Sequence, residues 1–294
     1  MEAATSQPSK AIAQLRAGDE MRGIYACTRK DRLTARNGSP YLAVELRDSS
    51  GTIGARVFRD ADFVAGLFDR GDLVHVTGRV ERFRDELQLD LREIRRAEAG
   101  EADPAAFLPT AYRDLTELDG FLEHLARDVY DADYRRLLAD FLDDDSFRAN
   151  LRHAPCTRGG HHAYLGGLLE HTVAVATLAQ EACTLHPRLN SDLLLTAALL
   201  HDIGKTREFA FGAAIELSDE GRLLGHVALG QAMIAGRSEG LPADKSLQLS
   251  HCVLGHHGPD SLPGRRFGSA EALALYRVNA LDASVKGALE HGLA

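Results

Sequence analysis

The sequence predicts two domains, an all-β barrel followed by an all-α domain. Three observations carry this. Residues 19–97 alternate apolar and polar with a period of two, rich in Val, Ile, Leu and aromatics. From about residue 113 apolar residues recur at three- and four-residue spacing. Between the two, "AEAGEADPAAFLPT" carries two prolines and no period. The barrel is placed at 15–97, the linker at 98–112 and the helical domain at 113–294. A chain of 294 residues is long enough to give each part its own core.

In the first part "MRGIYACTRK" and "YLAVELRD" read as strands, and "SSG" turns the chain into "TIGARVF". A short helical piece, "DADFVAGLF", precedes "DLVHVTGRVERF", and the turn "RDE" leads into "LQLDLREIRR". Five strands with one helix between the third and fourth is the order of an OB-fold. Closing the sheet removes the edges such strands otherwise expose. The chain carries a net charge of −9, which argues against bulk electrostatic capture of nucleic acid. The barrel segment is the exception, with 15 Lys/Arg against 13 Asp/Glu in residues 20–96. Its cations are Arg29, Lys30, Arg32, Arg36, Arg47, Arg56, Arg79, Arg82 and Arg84, and Tyr25, Tyr41, Phe58 and Phe83 are candidate stacking platforms. Arg29, Arg56, Tyr25 and Phe58 are the residues assigned to strand binding. The competing reading is that the aromatics are core and the arginines a solvated face.

Composition narrows the class. Apolar residues make up 45% and charged residues 26%, as in a water-soluble globular protein. No run of about 18 apolar residues exists, so no membrane partner is expected. The start, "MEAATSQPSK", lacks a basic and an apolar region, so the expected location is the cytoplasm. Four cysteines lie far apart without a CxxC pair, which fits neither a disulfide scaffold nor a zinc ribbon.

The helical part reads as "DLTELDGFLEHLARDVY", "DADYRRLLADFLDDDSFRANL", "GGLLEHTVAVATLAQEACTL" and "NSDLLLTAALLHDIG", the last capped by Asn190 or Ser191. Further helices cover about 225–239, 243–255 and 269–290. Most of the 13 histidines lie here, at the ends of successive helical segments: His171, His201 beside Asp202, His226, His251, His256 and His257. One histidine on an apolar helix is ordinarily a hydrogen-bonded core residue; five or six on separate helices are hard to explain that way. Consecutive helical residues diverge by about 100°, so His201 and Asp202 share a centre only where the helix ends. Gly204 is expected to supply that ending as a C′ residue, with Lys205 complementing the dipole. A mixed imidazole and carboxylate set suits manganese, iron or cobalt better than magnesium, and the ligands suffice for two ions bridged by Asp202. Such a centre acidifies water and neutralises phosphate oxygens, chemistry suited to phosphate-ester hydrolysis.

His171, then "HDIGK", then His226, then "GHHG" resembles the HD-domain phosphohydrolases. With the OB-like domain ahead, plus "GGHHAYLGGLLEHT" and "LNSDLLLTAALLHDIGK", residues 19–285 resemble the YhaM-type 3′→5′ exoribonucleases. The resemblance implies a metal-dependent 3′→5′ exonuclease on single-stranded RNA, with DNA the second candidate and the barrel holding the strand. It carries His171, His201 and Asp202 over as ligands of a first ion, and His226, His256 and His257 as completing a second. Lys205 would face the scissile phosphate, and His161 and His162 would line the substrate channel. One departure stands out: Tyr276 and Asn279 replace a His and the acid that closes the metal site. Asn279 is a neutral, weaker ligand, and Asp282, one turn on, is the candidate substitute. Two other readings stay open on sequence alone: a nucleotide phosphohydrolase using the same site, and a nucleic-acid-binding protein whose HD domain is weakened through Asn279. A homo-oligomer is compatible with all three.

Overall fold

The computed structural model describes residues 10–35, 38–98, 100–211 and 214–293. Arg36, one of the cations singled out above, lies outside them. The chain divides into two compact units, Met1–Pro109 with Phe211–Glu216, and Thr110–Ala210 with Leu217–Ala294.

The first unit is an OB-fold barrel. Its strands are β1 (Glu20–Thr34), β2 (Pro40–Asp48), β3 (Gly51–Val57), β4 (Leu73–Phe83) and β5 (Glu86–Arg96), with α1 (Ala61–Ala65) between β3 and β4. They close in the order β1-β2-β3-β5-β4. All neighbours are antiparallel except β3 and β5, which pair in parallel from Gly54 opposite Gln88 to Arg56 opposite Asp90. Period-two patterning decides what faces inward. Leu42, Val44 and Leu46 of β2 point into the core with Met21, Ile53, Val57, Val76, Val80 and Leu89, while their neighbours face outward. The tight β2–β3 turn holds because the buried Asp48 carboxylate accepts from the Ser50 and Gly51 amides through Oδ1, at 2.8 and 3.1 Å. Its Oδ2 accepts from the Ile12 amide at 2.8 Å.

The second unit is helical: α2 (Leu115–Arg127), α3 (Ala132–Leu142), α4 (Asp145–His153), α5 (Gly167–Leu185), α6 (Ser191–Leu200), α7 (Lys205–Glu208), α8 (Asp219–Arg237), α9 (Ala243–Gly255) and α10 (Ala270–His291). A short hairpin, β6 (Phe209–Phe211) and β7 (Ile215–Leu217), precedes α8. Asp114, Asp131 and Asp144 cap α2, α3 and α4, each accepting from amides of the first turn. Asn190 caps α6 by accepting from Leu193, as its sequence position predicts. α5 and α6 are apolar on nearly every side and form the centre, packed on each other and against α2, α9 and α10. Among the described residues no helix is long and apolar enough to cross a membrane.

The barrel has a tight spot at Gly78, beside the irregular register between Thr77 and Gly78. A Cβ there would stand 2.6 Å from the Asp90 carbonyl oxygen and 3.0 Å from Leu89 Cγ. Gly78→Ala therefore has to push β4 from β5 and is expected to destabilise the barrel by about 1–3 kcal/mol. Chemical denaturation checks it, with Gly54→Ala as control, since a Cβ at Gly54 meets nothing within 4 Å. Equal losses in the two variants would contradict the packing account.

Candidate metal centre

Four stretches of chain bring the histidines together. His171 lies in the second turn of α5, and α6 ends just before His201 and Asp202. Gly204 does not act as the left-handed cap expected from sequence: its φ is −61° and the chain continues directly into α7. Its glycine is required by contact. A Cβ would lie 2.0 Å from the His226 carbonyl oxygen and 2.6 Å from the Gly230 amide, so α8 crosses flush against this turn. α8 itself breaks at Gly225, which has φ 71° and ψ 161°, and His226 follows immediately. α9 delivers His256 and His257 just past its last residue.

Asp202 sits at the middle. Its Oδ2 lies 3.3 Å from His201 Nε2 and 3.5 Å from His171 Nε2, and those two nitrogens are 3.3 Å apart. Its Oδ1 lies 3.3 Å from His256 Nε2 and 3.5 Å from His226 Nε2, while His226 and His257 meet at 2.8 Å through their Nε2 atoms. Two sets of ligand atoms result, His171 with His201 and Asp202, and Asp202 with His226, His256 and His257, each within 4.8 Å of one another. Both Asp202 oxygens and His256 Nε2 are buried without a hydrogen-bond partner. Buried polar atoms are almost always paired, and a bound cation is what this donor set satisfies.

The far side of each ring is engaged. Nδ1 of His201 meets the Ala198 carbonyl at 2.8 Å and that of His256 the Val253 carbonyl at 2.5 Å. Nδ1 of His171 meets Asp282 Oδ2 at 2.6 Å and that of His226 meets Glu208 Oε1 at 3.0 Å. A proton on Nδ1 would leave the Nε2 lone pair facing Asp202, the arrangement metal-binding histidines adopt. Burial pushes His171 down to about 4 and lowers His256, so both rings are neutral at pH 7. Burial opposes charge on Asp202 too, but the Lys205 ammonium and the His201 ring hold its carboxyl well below the usual range. Lys205 is buried with its Nζ 2.7 Å from Asp202 Oδ2, and it donates to Cys156 Sγ at 3.3 Å. Burial alone would discharge the amine; the Asp202 charge more than offsets this and raises it.

The remaining expectations divide. Asn279 is buried on α10 and donates through Nδ2 to the His256 carbonyl at 3.1 Å. Asp282, the candidate substitute ligand, meets His171 at the nitrogen opposite the one that faces Asp202. His162 does not line an open channel: it is 1% exposed and bonded to Tyr164 and Asp282, because the turn before α5 folds it inward. His161 is half-buried, with its ring 5.5 Å from that of His171. His251 belongs elsewhere, accepting from the Gly268 amide at 2.9 Å. Sequence reasoning missed Glu208 and Cys156. Their partners lie 18 and 49 residues away, so no local spacing marks them.

On the barrel, Tyr25 is not a stacking platform. It is 0% exposed, because β1 turns it into the core beside Met21 and Cys27. Phe58 is 60% exposed and stacks on Tyr41, ring centroids 5.3 Å apart and planes 26° apart. The Arg56 guanidinium covers the Tyr41 ring at 5.9 Å and the Phe83 ring at 5.3 Å. Tyr41, Arg56 and Phe83, with Arg29, Glu45, Glu86 and Gln88, line one groove across β1, β2, β3 and β5 and the end of β4. Arg29 is exposed there and ion-paired with Asp31. Lys30 and Arg47 serve the barrel instead, bonding the Phe68 and Phe107 carbonyls.

The HD-domain family model matches residues 168–284, and the OB-fold nucleic acid binding domain model matches residues 27–97. The chain is 29% identical over 266 residues to the 3′-5′ exoribonuclease YhaM of Listeria monocytogenes, covering 86% of this chain and 81% of that protein. It is 27% identical over 253 residues to the YhaM of a Geobacillus strain, covering 85% and 78%. It is 29% identical over 244 residues to that of Oceanobacillus iheyensis, covering 82% and 76%. This is an OB–HD protein, homologous over most of its length to the YhaM exoribonucleases. Its HD domain and His/Asp clusters fit a divalent metal ion.

The buried rings give a pH signature. His171 takes up a proton near pH 4 when folded, but near 6.5 once unfolded and hydrated. Between those values the unfolded chain binds more protons, so the metal-free protein is expected to lose stability as pH falls from about 6.5 toward 4. Thermal unfolding across that range checks this, and His171→Gln should flatten the slope.

Proposed function

We propose that this protein is a divalent-metal-dependent 3′→5′ exonuclease that shortens single-stranded RNA, with manganese as its metal and single-stranded DNA as a second substrate. One observation carries the reading: a buried carboxylate, Asp202, with neither oxygen in a hydrogen bond and each aimed at a separate group of imidazoles, beside the single counter-charge of Lys205. The homology to exoribonucleases and the OB-fold domain support the substrate class.

His171, His201 and Asp202 would hold one ion, and Asp202, His226, His256 and His257 would hold the other, with Asn279 a neutral candidate for a further ligand. When bound, such ions supply Lewis acidity toward phosphate oxygens and a more acidic water. Asp202 belongs to both ligand sets and would supply its negative charge to each. Lys205 keeps Asp202 ionised and offsets negative charge where the scissile phosphate arrives. His161, at the half-buried edge, contacts the terminal nucleotide. On the barrel Phe58, Arg56 and Arg29 hold upstream nucleotides, the ring and guanidinium by stacking and the cations by phosphate contact. Free cysteines with no CxxC pair support a cytoplasmic setting.

A 5′-labelled single-stranded RNA incubated with the protein and manganese is expected to shorten stepwise from its 3′ end. His201→Ala and Asp202→Ala should slow this by more than about a hundredfold, beyond what loss of an outer-shell partner costs. Phe58→Ala and Arg56→Ala should weaken oligomer binding by roughly 1–3 kcal/mol each while leaving dinucleotide turnover unchanged. No shortening with any divalent ion would overturn the proposal.

A further inference from the structure

We propose that Asp282 and Glu208 are positioning residues, one behind each half of the centre: Asp282 sets the ring of His171, and Glu208 sets the ring of His226. The inference rests on the metal-centre reading above. Four ligand imidazoles face Asp202 through Nε2, but they are held in two different ways. His201 and His256 lean on carbonyls of their own helices, three residues back. Those contacts come with helical backbone and survive any side-chain change. His171 and His226 lack such a contact and rely on distant carboxylates.

Asp282 is itself held by a buried chain of hydrogen bonds. Its Oδ2 takes both His171 Nδ1, at 2.6 Å, and His162 Nε2, at 3.0 Å. His162 Nδ1 lies 2.9 Å from the Tyr164 hydroxyl, which lies 2.9 Å from Glu170 Oε2. Lys286, one turn beyond Asp282 on α10, donates to Glu170 Oε1 at 2.8 Å and closes the chain. On the other side Glu208 Oε1 accepts from the His226 amide and faces its Nδ1, both at 3.0 Å. The break at Gly225 turns that amide toward it.

A neutral imidazole has one N–H, and a carboxylate at Nδ1 keeps it there, leaving Nε2 free as a ligand. Placed so, Asp282 acts through His171 and does not take the place of the acid missing at Asn279. Because each carboxylate serves a different half, the two metal affinities should be separable by mutation.

The test uses the full-length metal-free protein, with long-range proton–nitrogen NMR of the histidine rings followed by calorimetric titration with manganese. Wild type is expected to show His171 and His226 protonated at Nδ1 and to bind in two steps. Asp282→Asn should perturb the His171 signals and weaken one step by about 10–100-fold, leaving the other in place. Glu208→Gln should perturb His226 and weaken the other step, and the double variant should lose both. Three outcomes overturn the proposal: a wild-type His171 carrying its proton at Nε2, equal weakening of both steps by either variant, or lost affinity with unchanged ring signals. The first needs no variant to fold. A wild type that binds no manganese sinks the metal-centre reading, while the ring signals still decide whether the carboxylates position the histidines.

Discussion

The Asp202 carboxylate is the constraint on which the helical domain is organised. A carboxylate out of water costs several kcal/mol unless compensated, and this one has neither oxygen in a hydrogen bond. Lys205 beside it is a partial counter-charge. With their protons at Nδ1, where carbonyls and carboxylates wait, His171, His201, His226 and His256 offer no donor on that side. What remains is a space bounded by lone pairs and one negative charge, which a cation fills better than water or protein.

Packing makes that space possible. α6 ends in a turn against which α8 can lie without a side chain between them, and Gly204 is the residue that allows it. The broken helix at Gly225 then aims His226 back toward Asp202. Gly204 and Gly221 bring the turn after α6, and α7, directly against α8. Ligand geometry is therefore set by backbone contact, and outer carboxylates refine the rings.

Much of this was legible in the sequence. Period-two runs gave the barrel strands, and apolar periodicity with Asp and Asn caps gave the helices. The ligand histidines were legible because they fall on separate helical segments, and all but His171 sit beside Asp or Gly where a helix ends or breaks. Tyr25 was misread because a strand's inward and outward sides swap with a one-residue shift, and the bulge after Cys27 blurs the register. His162 was misread because the turn that buries it has no period. Gly204 was identified as important for the wrong reason: its role is contact with α8, which no local pattern encodes. Glu208 and the role of Asp282 were invisible because they depend on pairings across 18 and 111 residues.

The barrel and the helical domain contribute different chemistry. One offers an exposed arginine-over-aromatic surface suited to unpaired bases, the other a largely buried cluster of imidazoles and one carboxylate suited to cations. The claim beneath both is that cations gather on either side of Asp202. Anomalous diffraction at the manganese edge, from crystals grown with that ion, measures this most directly. The account predicts two peaks, one between Asp202 Oδ2 and the His171–His201 pair, the other between Oδ1 and the His226–His256–His257 group. No peak near Asp202, with a water or a protein donor on each of its oxygens, would contradict it.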